Sequence, residues 1–111
     1  MENEPKSSGS KPVASTTITL LKAVELGEYE PTQLGRFPEW HTLSTHAQYE
    51  LVRKGMQNHD FQLRRLWAEI NNQLNFSTKP SLQQARNNVD AQIQQLRRDE
   101  DRLMVEFTAK L

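Results

Sequence analysis

The sequence predicts an all-α protein: a long, coiled-coil-like antiparallel helical hairpin with a short N-terminal helix packed at its open end. Three observations carry that expectation. Residues about 45–75 and about 80–110 each repeat apolar side chains at alternating spacings of three and four. The stretch between them is only a few residues long, and Pro80 suits the first turn of a new helix. Gly and Pro together number nine in 111 residues, too few for a barrel or sandwich of tight turns.

The elements follow in order. Residues 1–15, MENEPKSSGSKPVAS, offer almost nothing to bury and are expected to be a disordered tail. Residues 16–111 are expected to form one helical domain. In residues 16–26, Leu20, Leu21 and Val24 share one helical face, and Gly27 is a C-terminal stop. The β-branched run Thr16–Thr19 argues for a strand instead. A lone strand would find no partner, so the helix is preferred. The connector 27–44 holds Pro31, Gly35 and Pro38, yet also Tyr29, Leu34, Phe37, Trp40 and Leu43. So many apolar anchors predict a loop packed onto the core, with Leu20, Leu21, Val24, Phe37 and Trp40 folding over the open end.

The first long helix is predicted to start on a capping box, Thr45 with Gln48. Its seam rows read Tyr49, Met56, Leu63, Ile70 and Val52, His59, Leu66, Gln73. Gly55 lies inside it and should weaken it by about 1 kcal/mol relative to Ala. The second helix offers Leu82, Val89, Leu96, Leu103, Lys110 and Arg86, Ile93, Glu100, Phe107. With the turn centred near residue 78, Leu63 faces Ile93 and Tyr49 faces Phe107. That register also predicts cross-helix ion pairs Glu69–Arg86 and Arg53–Glu100. Leu51, Met104, Val105 and Leu111 widen the apolar faces at the open end, where the N-terminal segment is expected to cover them.

Several function classes are excluded or disfavoured. Cysteine is absent, so disulfides, thiol catalysis and cysteine-held metals are excluded. Lys plus Arg and Asp plus Glu both number 14, so bulk charge does not attract a polyanion. No GxxxxGK[ST], GxGxxG or GxSxG motif occurs. His41 and His46 are five apart, not the three or four that one helix needs for a shared metal, and no cofactor is expected. No 18-residue apolar run exists, and Lys22 interrupts the signal-like stretch Val13–Leu26, so a cytoplasmic protein is the expectation. The run Arg97–Arg102 scatters around its helix and is read as a solvated face.

Known hairpin families do not fit. The turn Asn75-Phe76-Ser77-Thr78 lacks the Trp-x-Gly of secreted WXG-type hairpins and leaves no room for the β-hairpins of prefoldin-type subunits. All-helical chorismate mutases need several cations inside the bundle, and only Arg86 is a seam candidate here.

What remains is a non-enzymatic interaction or regulatory module that contacts another protein or a second copy of itself. Trp67 and Leu74, beside Ile70 and close to Phe76, sit at the edge of the heptad seam. These four are the expected partner or dimer interface, for instance in a four-helix bundle. The alternative is a nucleic-acid accessory using Lys54, Phe61, Arg64 and Arg65 on the outer face of the first long helix. The field there is weak, with five Lys/Arg against three Asp/Glu across 45–79. An enzyme built on His59 and Glu100 is the third reading.

Overall fold

The computed structural model describes residues 18–75 and 78–111, and among them every regular element is a helix. The expected tail over 1–15, Thr16–Thr17 and Phe76 lie outside the described residues. Helix α1 spans Leu20–Glu25, α2 spans Pro31–Leu34, and a 3₁₀ turn spans Pro38–Thr42. The two long helices are α3, Thr45–Leu74, and α4, Pro80–Thr108. They pack on each other, and α1 packs on α3. At 30 residues, α3 is about 45 Å long.

Local chemistry explains the boundaries. Thr19 caps α1 by accepting a hydrogen bond from the Lys22 amide at 3.1 Å. Gly27 ends it at φ 97°. The Gly27 amide donates to Val24 and the Glu28 amide to Ala23, which is the Schellman pattern. Pro31, Pro38 and Pro80 each open their element, where a missing N–H costs nothing. The cap of α3 is Ser44, one residue before the expected Thr45. Its Oγ accepts from the Ala47 amide at 3.1 Å. Gln48 turns away from the helix end and donates to the Trp40 carbonyl at 2.8 Å.

The register holds. Tyr49 and Phe107 stack at 5.1 Å with an interplanar angle of 18°. Lys110 sits over the Phe107 ring. Near the turn, Arg86 donates to the Asn71 side chain at 3.3 Å. The expected Glu69–Arg86 and Arg53–Glu100 pairs are not formed. Glu69 pairs with Arg65 and Arg53 with Glu50, each along its own helix. Local partners three or four residues away need less side-chain ordering than partners across a seam.

The seam itself rotates. Val52, Met56, Leu63 and Ile70 are buried as expected, but Leu66 is 43% exposed and Gln73 is exposed. Trp67 and Leu74 pack against the core in their place. An α-helix drifts by about 20° per heptad against a 3.5-residue repeat, so the buried stripe slides to the neighbouring row. On α4 the line runs through Leu96, Asp99, Leu103 and Phe107, leaving Glu100 exposed. At the open end Leu20, Ala23, Val24, Leu34 and Trp40 are buried, with Phe37 packed beside them. Leu21, expected as an anchor, is 63% exposed. Met104, Val105 and Leu111 are exposed too, because α1 settles on α3 and not over the end of α4.

Candidate functional site

The N-terminal segment is held on α3 by backbone contacts. Asn58 donates to the Val24 carbonyl at 2.9 Å and Gln62 to the Leu26 carbonyl at 3.1 Å. Gly55 makes the approach feasible: a Cβ there would lie 2.1 Å from the Glu28 carbonyl oxygen. The sequence reading counted only the helix-weakening side of this glycine. Glu28 then braces the loop, its carboxylate accepting from the Tyr29 and Glu30 amides at 3.1 Å each.

From this loop two side chains reach α4. The Tyr29 hydroxyl donates to Asp99 Oδ2 at 2.7 Å, and Arg102 donates to Glu30 Oε2 at 2.7 Å. Gln95 and Arg102 also donate to Asp99 Oδ1, at 3.0 and 3.4 Å. Asp99 is 8% exposed, so the solvated-face reading fails at this residue. Burial by itself raises its pKa, but hydrogen bonds from Tyr29, Gln95 and Arg102 outweigh that and hold it below the ordinary carboxylate range. Burial, and then the bond to Asp99, pushes the Tyr29 hydroxyl well above its usual range. The sequence carried a signal for Asp99, since it stands three after Leu96 and four before Leu103. The charges around it masked that spacing.

Two recesses flank α1. One, about 740 Å³, lies between the loop and α3, with Tyr29, His59, Glu28, Glu30, Arg36 and Phe37 among its walls. His59 contacts the Tyr29 ring edge-on at 5.6 Å. Glu28 accepts from backbone amides and Glu30 from Arg102, so both carboxylates have partners. No hydrogen bond or ion pair joins His59 to Glu100.

The other recess is apolar. It is a groove of about 680 Å³ between α1 and the start of α3, walled by Leu20, Leu21, Leu43, Ala47 and Leu51. Glu39, His46 and Glu50 stand at its polar edge. The sequence pattern places Leu51 on a widened apolar face and Leu43 among the connector's anchors. The groove is not visible in that pattern, because the pattern turns Leu21 inward and singles out nothing at Ala47.

The residues expected to form the partner interface are placed differently. Ile70 is buried in the seam, and Trp67 and Leu74 are half-buried against it. Trp67 still borders a small notch of about 320 Å³ with Arg64, Asp90 and Ile93. The nucleic-acid face is an exposed face of α3, and Phe61 is 66% exposed. Two of its three cations carry acidic neighbours, Arg64 with Asp60 at 3.0 Å and Arg65 with Glu69 at 3.7 Å. Among the described residues no group of three His, Asp or Glu side chains could hold a metal, and no helix is long and apolar enough to cross a membrane. No protein family, no curated protein and no solved structure matches this chain.

Proposed function

We propose that the protein is a small non-enzymatic protein–protein interaction module that docks an apolar helix face in the groove at its open end. The groove between α1 and α3 carries this reading. Its walls are leucine and alanine, and its polar groups lie at the edge. An apolar recess rimmed by charge is the form in which grooves accept an amphipathic helix. The hairpin supplies rigidity, and the Tyr29–Asp99 and Glu30–Arg102 bonds tie the loop that follows α1 to α4. The nucleic-acid reading is weaker, because Asp60 and Glu69 cancel the field of Arg64 and Arg65.

Fluorescence of an anilinonaphthalene sulfonate dye tests the groove at submicromolar protein. The wild-type chain should enhance the dye, and Leu51→Glu should lose most of that enhancement while its helical circular dichroism stays. Equal enhancement in both proteins would refute the groove as the accessible apolar site.

A further inference from the structure

Resting on that reading, we infer that the groove takes the exposed Leu21 edge of α1 from a second copy of this chain, the two copies related by a twofold axis. The same patch presents both halves of a fit. Leu21 stands 63% exposed at the rim of the recess and forms one of its walls, with Leu43, Ala47 and Leu51 supplying others. A projection next to its matching recess is what a twofold interface requires, since each copy must give and receive the same contact.

The charges are complementary in the same sense. Lys22 follows Leu21 on α1, and among the described residues its ammonium makes only an exposed 3.5 Å contact, to Glu25. Across the groove, the Glu39 carboxylate has no ion pair among the described residues. Laying Leu21 of one copy in the groove of the other brings Lys22 toward Glu39 of the second copy, twice per dimer. A foreign helix could be matched to the groove, but the surface already carries its own match. The chain's net charge of zero removes long-range repulsion between copies.

Light scattering after size exclusion, over a concentration series up to hundreds of micromolar, tests this. The wild-type mass should rise from 12.9 kDa toward twice that value. Leu21→Glu should raise the dimer dissociation constant by at least about tenfold. Lys22→Glu and Glu39→Lys should each weaken the dimer by roughly threefold, and the double variant should restore it. A wild-type chain that stays at 12.9 kDa throughout, or a dimer indifferent to Leu21→Glu, overturns the inference. If the dye still reports the groove through Leu51, a monomer removes only the second copy as its occupant. Loss of both removes the docking reading as well.

Discussion

Gly55→Ala should destabilise the protein, against the usual sense of that change. In an ordinary helix interior, Gly→Ala gains about 1 kcal/mol from propensity. Here the new methyl would stand 2.1 Å from the Glu28 carbonyl oxygen, 2.9 Å from the Glu28 carbonyl carbon and 3.1 Å from Tyr29 Cβ. The first two neighbours are backbone, so no side-chain rotation relieves them. The loop must retreat by roughly 1 Å to reach ordinary contact. Retreat is opposed by the Gly27 turn, by Asn58 on Val24 and by the Tyr29–Asp99 bond at 2.7 Å. Overpacking of this kind costs about 1–3 kcal/mol, and a hydrogen bond to a charged group is worth about 1.5–3 kcal/mol. Against a propensity gain of about 1 kcal/mol, the net loss should be about 2 kcal/mol. Urea unfolding followed by circular dichroism measures it. A variant stabilised by about 1 kcal/mol would show that the Glu28–Tyr29 backbone does not lie on Gly55.

The rotated seam predicts that Leu63→Ala costs about 2–5 kcal/mol while Leu66→Ala costs well under half of that, measured in the same urea assay. Equal losses would restore the unrotated heptad. Trp67→Ala should lower stability by about 2 kcal/mol and leave the dimer constant unchanged, because its ring packs within the hairpin. Tyr29→Phe should cost about 1–2 kcal/mol near neutral pH. The raised folded pKa of Tyr29 contributes stability that is present below the unfolded value near 10 and lost as pH rises beyond it, so the variant should flatten the alkaline fall in Tm. The lowered folded pKa of Asp99 contributes stability that is present above the unfolded value near 3.8 and lost as pH falls through the folded one. Asp99→Asn should therefore flatten the acid limb, and an unchanged limb would discount the buried network.

Much of this fold is legible in the sequence. Spacings of three and four located both long helices, Pro80 fixed the start of α4, and the turn position alone paired Tyr49 with Phe107. What escaped was set by tertiary approach. Heptad letters assume a helix that stays in phase, so they put Leu66 in the seam and Trp67 at its edge, whereas the stripe drifts the other way. Gly55 looked like a defect because the chain that needs its missing side chain lies 27 positions earlier in sequence, at Glu28. Asp99 looks solvated because charged neighbours, Arg97 and Arg98 before it and Glu100, Asp101 and Arg102 after it, hide its place between Leu96 and Leu103. The groove was the least legible feature. It depends on which way the six residues of α1 roll, and Leu20, Leu21 and Val24 are apolar on more than one side.

Methyl NMR over a dilution series tests the docking claim most directly, because it reads location and association together. The account predicts concentration-dependent shifts in Leu21, Leu43, Ala47 and Leu51, with Leu66, Met104 and Val105 unmoved. Shifts confined to Leu66, Met104 and Val105 would place the contact on the hairpin's outer faces and contradict the groove.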